Sequence, residues 1–201
     1  MIQVTETVKH LLIINVLAFL ASSTIFQEQY LQFALYYPET NYFKPWQIVT
    51  HLFLHGSPSH LLFNMLSLFF IGPMLENRLG SKRFLIFYFV SGIGGALLHI
   101  VYKYFTLHYS ASPEMIMVPA LGASGAINGL FIALAYLYPN MEMMLMFIPF
   151  PIKAKYLAMF TIGADLLWGM SGYHTGIGHF AHLGGALFGF LLIVYWTKKG
   201  R

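Results

Sequence analysis

Apolar positions along this chain neither alternate with polar ones nor recur as a narrow stripe; they fill long blocks divided by short clusters of Pro, Gly, Asn and basic residues. At about 20 apolar residues per membrane span, the blocks predict helices near residues 8–26, 59–79, 84–105, 121–139, 153–172 and 179–197. The breaks have physical causes. Asn77, Arg78, Gly80, Ser81, Lys82 and Arg83 part the second and third blocks, Pro113 and Pro119 precede the fourth, and Pro139, Pro149 and Pro151 precede the fifth. The expected fold class is therefore all-α: a polytopic membrane protein with a six-helix transmembrane bundle, one domain over residues 1–201. Segment 27–58 is too interrupted to span but carries Tyr30, Phe33, Tyr36, Tyr37, Tyr42, Phe43 and Trp46. Amphipathic aromatics of this kind suit a loop lying in the membrane interface.

Composition strengthens that reading. The chain is 58% hydrophobic and 9% charged, against about a quarter charged in soluble domains, so the lipid bilayer must be its main solvent. Without ten-residue alternating segments it does not read as an outer-membrane barrel. The absence of Cys removes disulfides, thiolate catalysis and Cys-based metal sites. The net charge of +4 does not imply nucleic acid, because the basic residues sit at block ends rather than on one solvated face. Their distribution is informative in another way. With a cytoplasmic N-terminus, Lys9, Arg78, Lys82, Arg83, Lys153, Lys155, Lys198, Lys199 and Arg201 all fall on the cytoplasmic side, leaving Lys44 and Lys103 elsewhere. The positive-inside rule thus puts both termini in the cytoplasm, and the first block, with Glu6 and Lys9 before it and no small-residue cleavage site, reads as an uncleaved helix. Short termini without a transit peptide favour a bacterial inner (plasma) membrane.

Polar groups inside a span are expensive and invite a functional reading. The second predicted helix opens with His60 and Asn64 at i, i+4, on one face; the fourth with Gly122, Ala123, Ser124 and Gly125; the sixth with His179 and His182. These three helices run in the same direction, so their polar starts reach one side of the membrane at similar depth. A serine with a histidine base and donors for an oxyanion is the minimum apparatus for acyl transfer. Ser124, His182 and the pair His60 and Asn64 fill those three roles. Gly122 and Gly125 remove side chains beside the serine, and Gly122 with Pro119 suggests that the preceding loop dips into the protein. Taken singly, each feature also fits helix packing: small residues form seams, and His60 with Asn64 could be a cap and a hydrogen-bonding pair.

The runs H-G-S-P-S-H-L-L-F-N (55–64), G-A-S-G (122–125) and A-H-L-G-G-A-L-F-G (181–189) resemble the rhomboid family of intramembrane serine proteases, over about residues 46–190. The resemblance implies a catalytic dyad of Ser124 and His182. It also implies an oxyanion site made of the Ser124 N–H with the His60 and Asn64 side chains. The implied substrates are single-span transmembrane proteins cut in or near the membrane, without metal or cofactor. Glu76, Asn77 and Arg78 resemble a charged turn expected to act as a salt bridge or cap. Two positions depart from the family pattern. Trp46 is followed by Gln47 where many members carry Arg, and Asn128 stands four residues after the serine in place of an aromatic ring; Asn128 could instead hydrogen-bond the imidazole.

Asp165, the one aspartate of the chain, lies within the fifth predicted helix. A third triad member is one reading; the resemblance argues for a dyad with this helix away from His182. That leaves Asp165 a structural role, or one in substrate entry beside the second helix, where Phe63 is a candidate gate residue. Two further functional classes compete with this reading. His51, His55, His60, His174, His179 and His182 could supply imidazoles to zinc, but no H-E-x-x-H pattern or suitably placed carboxylate accompanies them. A transporter or non-catalytic binder would call for a charged pathway, for which Asp165 alone is thin support.

Overall fold

The computed structural model describes residues 3–109, 117–144, 150–171 and 175–199. Pro113, Pro149, His174 and Arg201 lie outside them. The chain is built from α1 (Glu6–Thr24), short α2 (Gln47–Thr50), α3 (Pro58–Leu79), α4 (Ser81–Tyr109), α5 (Ser124–Leu137), α6 (Ala154–Met170) and α7 (His179–Lys199), with 3-10 turns at Tyr30–Phe33 and His51–Phe53. A two-residue antiparallel ladder, β1 (Glu142–Met143) with β2 (Ile152–Lys153), joins α5 to α6. Among the described residues four helices, α1, α3, α4 and α7, are long and apolar enough, by length and composition, to cross a bilayer.

The burial pattern is that of a membrane protein. Ile13, Ile14, Leu17 and Leu20 on α1, and Met159, Phe160, Leu167 and Met170 on α6, face outward. The interior meanwhile holds Asn15, Asn64, Glu76, Ser91, His99, Lys103 and Asp165. Exposing large side chains while burying polar ones suits a hydrocarbon surround, where polar groups must find partners inside the protein.

At the centre α4, α5 and α7 meet along small residues. A Cβ on Gly184 would stand 2.9 Å from Gly95 Cα, one on Gly189 would stand 2.9 Å from Gly129 Cα, and one on Gly185 would run into the Gly125 carbonyl. In lipid, helix association rests on such backbone approach. Helix α1 packs on α3, and α6 lies against α7 and α5.

Helix limits follow local chemistry. Helix α3 opens on Ser57, whose side chain accepts the His60 N–H, with Pro58 in the first turn. At its other end Glu76 accepts the N–H groups of Thr7 (3.1 Å) and Val8 (3.0 Å) and the Ser81 hydroxyl (2.6 Å), so its carboxylate caps α1. Helix α4 outruns the predicted 84–105 because Lys82 and Arg83 extend it; Arg83 reaches over the Trp196 ring. Helix α5 is shorter than the predicted 121–139, because Gly122 holds a φ of 125°, which no helix continues through.

Candidate active site

The starts of α3, α5 and α7 converge at one end of the bundle. The contacts of Glu76 with the start of α1, and of Arg83 with Trp196, lie at the far ends of α3 and α7. Three pieces of the chain fix the serine's position. Leu35 and Ala120 exchange backbone hydrogen bonds of 2.8 and 2.9 Å, and the Gly122 N–H donates to the His51 carbonyl at 2.9 Å. Buried Lys103 of α4 donates to the Val118 carbonyl of the same loop. The loop before Ser124 is therefore drawn down onto the first loop. At 14 residues, α5 spans about 21 Å, less than the ~30 Å hydrocarbon core.

Gly122 is indispensable to this geometry. Its left-handed φ suits glycine alone, and a Cβ there would lie 2.8 Å from His60 Nε2 and 3.7 Å from Ser124 Oγ. The bare face of Gly122 is thus where the His60 imidazole and the Ser124 hydroxyl approach one another.

His182 arrives from α7. The Ala181 carbonyl, one residue before it, lies 3.2 Å from where a Cβ on Gly125 would be, and 2.6 Å from one on Gly95. The residues next to Ser124 and His182 in sequence are consequently in backbone contact, and any alanine in that seam would part them. Asn64 is buried and spends one amide N–H on the His60 carbonyl at 3.0 Å. An amide carries two donors, so a second N–H remains.

The structure departs from the family-based expectation at helix α6. Asp165 does not stand away from His182: its Oδ1 and Oδ2 are 3.1 and 3.2 Å from His182 Nδ1, and Oδ1 is 2.7 Å from His179 Nδ1. The physical cause is Gly169, which lies against His179 Cβ and the Phe180 ring, each 3.1 Å from a Cβ built there. With no side chain at that point, α6 closes onto the first turn of α7. The signal in the sequence is a single acid inside an apolar helix, which leaves a triad reading open, and the family resemblance points away from it.

The remaining candidates are placed as follows. Asn128 donates to the Ser124 carbonyl at 3.0 Å, an i−4 bond that turns its amide along α5 instead of toward the imidazole. Phe63 is 55% exposed on α3 beside Leu62, on a face directed out of the bundle. Trp46 is half exposed and donates its indole N–H to the Gln32 carbonyl at 3.3 Å. Gln47, fully buried, accepts from Tyr36 N–H (3.2 Å) and donates to the carbonyls of Gln32 (3.0 Å) and Tyr42 (2.9 Å). One neutral amide therefore anchors the first loop where the family pattern has a guanidinium in many members.

Around this site the first loop contributes two neutral imidazoles. His51, its Nδ1 2.8 Å from the Gln47 carbonyl, is pushed down to about 4 by burial. His55 is also pushed down to about 4, by burial first and by the neighbouring His60 second; their ring centroids are 5.0 Å apart. Among the described residues no group of three or more His, Cys, Asp or Glu side chains could hold a metal ion.

Comparison with known proteins gives this constellation a context. Residues 42–199 match the model of the Rhomboid domain. Rhomboid-like protease 3 of Toxoplasma gondii is 32% identical over 166 residues, 83% of this chain and 57% of that protein. Rhomboid protease AarA of Providencia stuartii is 32% identical over 162 residues, covering 74% and 55%. The putative rhomboid protease YdcA of Bacillus subtilis is 36% identical over 154 residues, covering 77% and 68%. The chain spans about half the length of the first two of these relatives.

Proposed function

The chain belongs to the rhomboid family, and on that premise we propose that it is an intramembrane serine endopeptidase with Ser124 as nucleophile and His182 as base. The observation that carries the reading is the Gly125 contact with the Ala181 carbonyl, which brings the first residue of α5 and the first turn of α7 together. The substrates are transmembrane proteins with a single span, cut in or near that span. They enter from the bilayer beside α3, where Phe63 is exposed.

In the reaction His182 Nε2 takes the Ser124 proton and Ser124 Oγ attacks the scissile carbonyl. The oxyanion is held by the Ser124 N–H, at the start of α5, with the His60 ring and the free Asn64 N–H. The helix start supports this role, because its first N–H groups have no partner within the helix. Collapse of the tetrahedral species passes the proton from His182 to the leaving amine. Water, activated by the same imidazole, then frees the acyl-enzyme. The enzyme sits in the inner (plasma) membrane with both termini cytoplasmic and the site toward the outer side.

The test is cleavage of a single-span substrate in proteoliposomes. Wild type should cut it, whereas Ser124→Ala and His182→Ala should not. Equal cleavage by wild type and Ser124→Ala would remove the reading.

A further inference from the structure

We propose that Asp165 is a positioning residue for His182, so that the serine and histidine act with a carboxylate behind them; this rests on the Ser-His reading above. The Asp165 side chain is about 10% exposed, and it faces two imidazoles from the first turn of α7. An ionised carboxylate only accepts hydrogen bonds. Both Nδ1 atoms must then carry a proton, so either ring, whenever it is neutral, is the Nδ1–H tautomer.

The two rings differ at their other nitrogen. His179 Nε2 is 2.7 Å from the Thr175 hydroxyl and, with Nδ1 protonated, accepts from it, so this ring is closed at both ends. His182 Nε2 has no such partner among the described residues, and its lone pair is the one left for a proton. Asp165 thereby selects the tautomer in which the base points at the nucleophile; the opposite tautomer would present an N–H to Ser124 and could not deprotonate it. Asp165 stays ionised throughout, as the proton moves from Ser124 Oγ to His182 Nε2 and on to the leaving amine.

A purely structural role is the competing account, since Asp165 also ties α6 to α7 through His179. The two accounts separate in kcat. Asn at 165 keeps the shape but offers an N–H that can stabilise the wrong tautomer, an effect of about 10⁴ on kcat in a soluble serine protease. In proteoliposomes with a titrated single-span substrate, Asp165→Asn should lower kcat at least 100-fold with KM little changed. Asp165→Glu should regain at least tenfold of that loss. His179→Ala, which removes the His179 tie between α6 and α7 but keeps the bond to His182, should be at least tenfold more active than Asp165→Asn.

A second measurement needs no Asp165 variant. In ¹⁵N-histidine-labelled wild type, with the His182 signals assigned by their loss in His182→Ala, Nδ1 should be pyrrole-type and Nε2 pyridine-type at neutral pH. A pyrrole-type Nε2, near-wild-type kcat in Asp165→Asn, or equal loss in His179→Ala and Asp165→Asn would each overturn the proposal. The parent reading fails separately: it falls if wild type does not cleave or if His182→Ala cleaves as wild type does.

Discussion

Replacing Gly185 by alanine tests whether the backbone seam between α5 and α7 sets the geometry of catalysis. A methyl at Gly185 would lie 2.6 Å from the Gly125 carbonyl carbon and 3.0 Å from its Cα. Favourable contact begins near 3.5 Å, so the two helices must part by about 1 Å. Overpacking of this kind costs roughly 1–3 kcal/mol of stability. Because Gly125 follows Ser124 and Gly185 is three residues beyond His182, the same displacement separates the proposed nucleophile from the proposed base, and a misplacement of about 1 Å is worth on the order of 10²-fold in rate. Gly163→Ala is the control: a Cβ there meets nothing within 4 Å, and removing a helical glycine favours the fold by up to about 1 kcal/mol. The assay is kcat in proteoliposomes beside thermal unfolding in detergent. The seam would lose its role if Gly185→Ala cleaved at the wild-type rate, or if Gly163→Ala were equally damaging.

Three further outcomes follow. Asn64→Ala should lower kcat by about 10²–10³ if its free N–H serves the oxyanion, with the thermal transition nearly retained; a collapsed fold would instead mark Asn64 as structural. Gln47→Ala strips partners from Tyr36 N–H and from the Tyr42 carbonyl, leaving the Gln32 carbonyl only its bond from Trp46. These groups are only partly buried, so at no more than roughly 1–3 kcal/mol each the change should lower the unfolding temperature and expose the first loop to limited proteolysis. The third concerns acid. His51 and His55 are held neutral to about pH 4 in the folded loop, whereas an unfolded histidine protonates near 6.5. Between those values the unfolded state binds more protons. Their contribution is therefore complete above about pH 6.5 and falls away, by about 1.4 kcal/mol per pH unit for each ring, as pH drops toward 4. Unfolding temperature should decline across that window, and His55→Phe should make the decline shallower.

Much of the architecture was legible because it is local. Lipid demands long apolar blocks, and breaks at residues such as Gly80 and Pro139 mark their ends; the limits of α3 and α7 fall within two residues of those expected from the sequence. The site's helix starts were legible for a related reason, since polar residues are costly in a span and His60, Ser124 and His182 all sit at the same end of parallel helices. What stayed hidden depends on tertiary approach. Gln47 satisfies carbonyls five and fifteen residues away, which no spacing rule encodes. Asp165 reaches His182 because Gly169 lets α6 close on α7, a consequence of packing that a lone helical acid does not announce. Asn128 looked able to serve the imidazole, but its own helix supplies a nearer acceptor in the Ser124 carbonyl.

If Ser124 is a nucleophile activated by His182, a fluorophosphonate that traps activated serines should label it, and peptide mapping in a mass spectrometer reads where the label sits. One adduct is expected, on the peptide bearing Ser124, formed by wild type and lost in His182→Ala. An adduct on another residue, or labelling of Ser124 at an unchanged rate without His182, would exclude this pairing.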